Sequence, residues 1–218
     1  MQAYQQRFLQ LAVERQALRF GEFTLKSGRV SPYFFNLGLL HHGAELQVLG
    51  DCYAEAMLAA GWQPDMLFGP AYKGIPLTVA LALALAARHG IDLPYAFDRK
   101  EVKTHGDGGQ IIGAPLQGRV LIVDDVLTAG TAVREAIARV RAHGAEPAGL
   151  LVALDRQERG EQATSAAASL AADYGIEVAA ILRLDELVAY LERTATDWLS
   201  TEQLAAMRAY RARYAASG

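Results

Sequence analysis

Apolar residues recur along the 218-residue chain in two alternating rhythms. Apolar positions three or four apart mark amphipathic helices, and short unbroken runs mark buried strands. Residues 4–18 carry Phe8, Leu11, Ala12 and Leu18 on one stripe, which predicts a first helix. Two short aromatic-rich runs, 23–25 and 33–35, flank a Ser27, Gly28, Arg29 turn and predict a hairpin. A second amphipathic helix is expected over 44–60. From there strands are expected at 66–68, 95–97, 120–123, 148–154 and 176–182. Helices are expected after Pro76, over the Val133, Ile137, Val140 face, over 164–173, and at 185–193 and 201–214. This alternation predicts an α/β fold: an open, mainly parallel sheet flanked by helices on both faces. No internal repeat or Pro/Gly/Ser linker divides the chain, so one domain is expected over 1–218. The segment 101–114, EVKTHGDGGQIIGA, follows neither rhythm and reads as a long mobile functional loop.

Composition narrows the function. Hydrophobic residues make up 52% and charged ones 21%, an ordinary globular balance. The formal net charge of −3 argues against nucleic acid or an anionic membrane as a partner. The longest uncharged apolar run, 75–87, is too short to span a bilayer and reads as a buried helix. A single cysteine, Cys52, excludes a disulfide framework, and MQAYQQRFLQ lacks a basic-then-apolar leader pattern; both suit a cytoplasmic protein. Of the 21 basic residues only Lys26, Lys73, Lys100 and Lys103 are lysine, each in or beside a Gly-containing turn. Lysine places a compact, mobile charge on phosphate where the broad guanidinium does not fit.

The expected strand ends gather the chemistry. Polar clusters follow the strands at 69–74, 98–103, 124–131 and 155–160. In an open α/β sheet these carboxyl ends line one rim and converge on one cleft. In VLIVDDVLTAGTA (120–132) an acid pair, Asp124 and Asp125, precedes a small-residue loop that opens a helix. Backbone N–H groups of such a loop, with the Thr128 and Thr131 hydroxyls and the helix dipole, cradle a phosphate. The acids repel phosphate; they suit sugar hydroxyls or the water shell of a pyrophosphate-bound Mg²⁺. No G-x-G-x-x-G follows a strand, which counts against a dinucleotide site.

VLIVDDVLTAGTA resembles the 5-phosphoribosyl 1-pyrophosphate motif of type I phosphoribosyltransferases. FTLKSGR with YFFN, GPAYKGIPL, RKEVKTHGDGG and DRQERG narrow the resemblance to the bacterial orotate phosphoribosyltransferases, over most of the chain. Thr104, where an acid is common, and the His41, His42 pair depart from the pattern without touching an expected role. The resemblance implies the type I phosphoribosyltransferase fold, with residues to about 40 forming a helix-hairpin hood over the base site. It implies that Asp124 and Asp125 take the ribose hydroxyls, and that Val126, Leu127, Thr128, Ala129, Gly130, Thr131 and Ala132 take the 5-phosphate. Tyr72, Lys73 and Lys26 would meet the pyrophosphate or the base; Phe34, Phe35, Thr128 and Arg156 would address orotate. Arg99, Lys100, Lys103 and His105 would act partly across a homodimer, on a loop (99–114) closing over the neighbour's site. Lys103, Lys73, Lys26, Asp124, Asp125 and His105 would carry catalysis, with Mg²⁺ held mainly by the substrate and through water by Asp124 and Asp125. The implied reaction joins orotate to the ribosyl group, releasing pyrophosphate, in pyrimidine synthesis. A transferase for another base, or a non-catalytic regulator sensing the same pyrophosphate, remains as an alternative.

Overall fold

A computed structural model describes all residues except 26–27, 104–108, 129, 160–163, 195 and 217–218, and not the side chains of 100–103 and 109. Helix α1 (Ala3–Glu14) buries Phe8, Leu9 and Ala12. It ends earlier than its stripe predicts, because Gln16 adopts a left-handed φ of 56° and turns Leu18 into a strand. That strand, β1 (Leu18–Thr24), pairs antiparallel with β2 (Val30–Phe35), from Leu18 opposite Phe35 to Thr24 opposite Val30. The hairpin is thus longer than the two aromatic runs alone. Helix α2 (Gly43–Ala59) follows.

The main sheet holds β3 (Met66–Gly69), β4 (Tyr95–Lys103), β5 (Gly109–Gly113), β6 (Arg119–Leu127), β7 (Glu146–Asp155) and β8 (Val178–Arg183). Their spatial order is β5-β4-β3-β6-β7-β8, parallel throughout except for β5, which runs antiparallel to β4. Helices α3 (Gly74–Ala84), α4 (Thr131–Ala142), α5 (Ala166–Tyr174), α6 (Leu184–Arg193) and α7 (Thr201–Tyr214) complete the fold.

Successive strand residues face opposite sides, and both sides are buried. In β6, Leu121 and Val123 join one apolar core with α1, α2, α3, α6 and α7, while Val120 and Ile122 join a second with α4 and α5. Two covered faces explain why the strands read as unbroken apolar runs rather than as alternation.

The segment expected as a loop at 101–114 is corrected in part. β4 continues to Lys103 and β5 returns beside it, with Phe97 opposite Ile112 and Asp98 opposite Ile111. Backbone pairing at the sheet edge made these strands, so the polar side chains carried no periodic signal.

Candidate active site

The strand sequence reverses direction between β3 and β6: β4 and β5 lie to one side, β7 and β8 to the other. The crevice outside the carboxyl ends at such a switch point is where open α/β sheets bind ligands. The chain puts a lysine on one wall and an acid pair on the other.

The β3 wall depends on Gly69. A Cβ there would lie 2.4 Å from the Gly74 carbonyl oxygen and 2.5 Å from Thr78 Oγ1, so only glycine lets the strand end approach α3 this closely. The intervening turn carries Tyr72, which is 65% exposed, and Lys73, at the N-cap of α3. Lys73 Nζ reaches across the crevice to Asp125 Oδ2 at 2.5 Å. A second tether holds the same turn: the buried Asp98 carboxylate accepts the Ala71 N–H at 2.5 Å and pairs with Arg139 of α4.

On the other wall β6 outlasts its apolar run. Val126 and Leu127, expected in the phosphate loop, remain strand residues opposite Leu154 and Asp155 of β7. The acids turn onto their own backbone: Asp124 Oδ1 accepts the Asp125 N–H at 2.8 Å, and Asp125 Oδ1 accepts the Val126 N–H at 2.9 Å. Tyr53 of α2, fully buried, donates its hydroxyl to the Asp124 carbonyl oxygen at 2.7 Å. Burial, and then the charge of Asp125, push the Asp124 carboxyl up to about 6 from 3.8; the Asp125 N–H and Lys73 only partly offset this.

Beyond Leu127, Thr128 is exposed and Gly130 is left-handed, with φ 77°, at the N-cap of α4. Among the described residues no side chain caps that N-cap, and Thr131 and Ala132 are exposed in the first turn. Helix amides without an internal partner, at the positive end of the dipole, form an anion cradle.

A second cluster lies where β7 ends. Arg156, 9% exposed, stacks its guanidinium 4.8 Å from the centroid of the Tyr33 ring. Its Nε and Nη2 both bond Glu158 Oε1, at 2.8 and 2.7 Å. Phe34 and Phe35, adjacent on β2, take separate surroundings. Phe34 tilts against Phe23 and lies under Arg19, while Phe35 meets Phe8 edge-on beside the core. The aromatic ring nearest Arg156 is therefore Tyr33, which the sequence reading did not single out.

Residues 38–171 match the phosphoribosyl transferase domain family. The orotate phosphoribosyltransferase of Klebsiella pneumoniae is 55% identical over 98% of this chain and 99% of its own length. The crystal structure of orotate phosphoribosyltransferase from Francisella tularensis superposes with a TM-score of 0.85 at 41% identity, covering 95% of this chain and 98% of that one. The Mycobacterium tuberculosis orotate phosphoribosyltransferase, solved in complex with 5-phospho-alpha-D-ribosyl 1-diphosphate, gives 0.61 at 26% identity over 83% and 98%. The chain belongs to the orotate phosphoribosyltransferase family.

Within that family frame, the structure brings Lys73, Asp124, Asp125, Thr128, Gly130, Thr131 and Ala132 around the switch point. Arg99 lies half-buried on β4; Lys100 and Lys103 share that strand, their side chains outside the described set. Lys26, His105 and Ala129 lie outside the described residues. Asp98, Tyr53, Tyr33 and Glu158 are the site-supporting residues that sequence reasoning missed. Asp98 and Glu158 stand in charged runs at strand ends, which look the same whether they face water or a partner. Among the described residues no group of three or more His, Cys, Asp or Glu side chains could hold a metal ion. The oxygen-only acid pair does fit a hydrated Mg²⁺ whose other ligands come from a bound pyrophosphate. No helix among the described residues is long and apolar enough to cross a membrane.

Proposed function

We propose that this chain is a cytoplasmic, Mg²⁺-dependent enzyme that moves the 5-phosphoribosyl group of 5-phosphoribosyl 1-pyrophosphate onto orotate. The products are orotidine 5′-monophosphate and pyrophosphate. The observation that carries the reading is the Lys73–Asp125 contact of 2.5 Å across the β3/β6 crevice, with the uncapped α4 N-terminus following the same strand. Cation, acid pair and anion cradle occur in the order that pyrophosphate, ribose and 5-phosphate occur in one molecule.

Breaking the bond from ribose C1 to pyrophosphate oxygen builds positive charge on the sugar and negative charge on the leaving group. Lys73 stands where it stabilises the leaving group, exchanging Asp125 for a phosphate oxygen. Released from Lys73, Asp125 accepts a ribose hydroxyl together with Asp124, fixing the sugar while charge develops. The amides of the α4 first turn hold the 5-phosphate. Bound Mg²⁺ would supply further positive charge to the departing pyrophosphate. At the other end Arg156 recognises the orotate carboxylate, and Lys26, Phe34, Phe35 and Thr128 complete the base subsite. Lys100, Lys103 and His105 reach the pyrophosphate from the 99–114 segment.

The reading includes a homodimer that shares that segment, and an exposed apolar groove supports the dimer. A groove of about 540 Å³ between α2 and α3 is lined by Leu46, Pro76, Val79, Ala80 and Leu83, and Leu83 is 65% exposed. Apolar surface of this kind marks an interface, and α3 is the helix that Lys73 opens.

The test is direct. Purified protein is mixed with orotate, 5-phosphoribosyl 1-pyrophosphate and Mg²⁺, and loss of orotate absorbance is followed. Turnover with orotate and none with adenine or hypoxanthine is expected; turnover with a purine alone would overturn the substrate assignment.

A further inference from the structure

The Glu158 carboxylate gathers more partners than any other side chain described around the site. Besides Arg156, Oε1 accepts the Tyr210 hydroxyl of α7 at 2.8 Å and the Tyr33 hydroxyl of β2 at 3.4 Å. Oε2 takes Arg29 Nη1, from the hairpin, at 3.2 Å. The hairpin, the end of β7 and the last helix therefore meet on one acid. Its own backbone is fixed as well. Gln157, between Arg156 and Glu158, holds a left-handed φ of 52° and accepts the Asp185 N–H on its side-chain oxygen at 2.9 Å. Arg159 N–H donates to the Tyr214 carbonyl at 2.9 Å, and Ala216 N–H to the Gln157 carbonyl at 3.1 Å. A non-glycine residue in that region is retained where its surroundings over-determine it.

The guanidinium geometry says what this is for. Glu158 occupies the Nε–Nη2 edge of Arg156, Nη2 also reaches the Tyr210 hydroxyl at 3.5 Å, and Nη1 makes no hydrogen bond among the described residues. A guanidinium held by one edge, with Tyr210 at Nη2, is fixed in direction and leaves Nη1 to donate to a second carboxylate. Charge agrees: two arginines share one carboxylate, so the cluster keeps one uncompensated positive charge in a largely buried place. An anionic ligand group is what such a cluster lacks.

We infer that Glu158 is the positioning residue of the base subsite, aiming Arg156 at the ligand carboxylate and tying the hairpin and α7 to that aim. This rests on the proposed orotate specificity and adds a residue to it. Glu158 touches no reacting atom; it acts through Arg156.

The test is Glu158→Gln, with kcat, the KM of each substrate and Tm measured. Gln keeps the size and loses the charge. The orotate KM should rise on the order of tenfold to a hundredfold, as expected for losing hydrogen bonds to a charged group. The KM for 5-phosphoribosyl 1-pyrophosphate and kcat should stay near the unaltered values. A merely structural role would move both KM values together or lower kcat and Tm; that result, or an unchanged orotate KM, overturns the inference. Should the variant fail to fold, Tyr210→Phe removes one hydroxyl from Oε1 and leaves both arginine pairs. It should raise the orotate KM severalfold alone, and an unchanged value would again overturn the inference. If the unaltered protein turns over no orotate, the specificity reading itself fails; if it does and only the Glu158 effect is missing, the positioning role alone fails.

Discussion

Asp124 is held in a state that disfavours its charge, and that has a measurable consequence for stability. Burial and the neighbouring Asp125 raise its carboxyl from 3.8 to about 6 in the folded chain. The shift is about two units at 1.36 kcal/mol each, so the ionised carboxylate costs the fold about 3 kcal/mol. An acid with a raised folded pKa binds more protons folded than unfolded between the two values. Stability is therefore lost as pH rises from 3.8 through 6, and the full cost applies above 6. Asp124→Asn removes the titration and keeps the shape. Its amide oxygen can still accept the Asp125 N–H, and its NH₂ can donate to the Asp125 carboxylate as the protonated acid does. At pH 8 the variant should melt higher by roughly 6–12 °C, from 2–4 °C per kcal/mol for a chain of this size. At pH 4 the gain should shrink to under about 1 kcal/mol, because the unfolded acid is then only partly ionised. Turnover should fall at every pH, since the ionised acceptor for the ribose is gone. Thermal melts followed by circular dichroism at pH 4, 5, 6, 7 and 8 decide it. A variant no more stable than the unaltered protein at pH 8, or an offset that ignores pH, would refute the electrostatic account of this acid.

Two further outcomes follow from named contacts. Asp98→Ala strips Arg139 of its buried partner and leaves the Ala71 N–H without an acceptor. It should cost about 3–5 kcal/mol in urea unfolding, whereas Asp98→Asn, which keeps the Ala71 acceptor, should lose less; equal losses would show the tether to the Tyr72, Lys73 turn to be idle. On the proposal that the 99–114 segment is shared across a homodimer, Lys103→Ala and Asp125→Asn should each be inactive, yet co-refolded mixtures should recover about a quarter of normal activity. Half the dimers are then mixed and one of their two sites is intact. A well-mixed sample that stays inactive would place each site within one chain.

The sheet was legible where both faces are buried. Met66–Gly69 and the Val120–Val123 run of β6 announce themselves because every residue there is buried. The edge was not legible. β4 and β5 are held by backbone pairing, and a strand with one open side tolerates Arg99, Lys100 and Lys103, whose pattern says loop. The helical spacing of α1 continues to Leu18; only a backbone turn at Gln16 puts that residue in β1. In the site, the acid pair could be read from residue type and position alone. Which hairpin ring lies against the Arg156 guanidinium could not, because that depends on how β2 sits over the end of β7. Glu158 and Asp98 were hidden for a related reason: a sequence shows a charge but not whether four donors surround it.

The switch point and the end of β7 carry opposite residual charges, and this constrains what the proposed site can hold. Among the described side chains at the switch point, one lysine faces two carboxylates, and Lys73 sits on Asp125 while Asp124 has no such contact. The middle of the site is thus short of hydrogen-bond donors. At the end of β7, two guanidiniums share one carboxylate, so that end is short of an anion. A purely anionic ligand would relieve the second and aggravate the first, and a neutral sugar would relieve only the first. A ligand pair satisfies both only with hydroxyl donors in the middle, phosphate at the uncapped α4 terminus and a carboxylate on the base. Under the proposed function that requirement separates orotate from uracil, which presents the same ring face without the anion, and the discrimination would rest on Arg156.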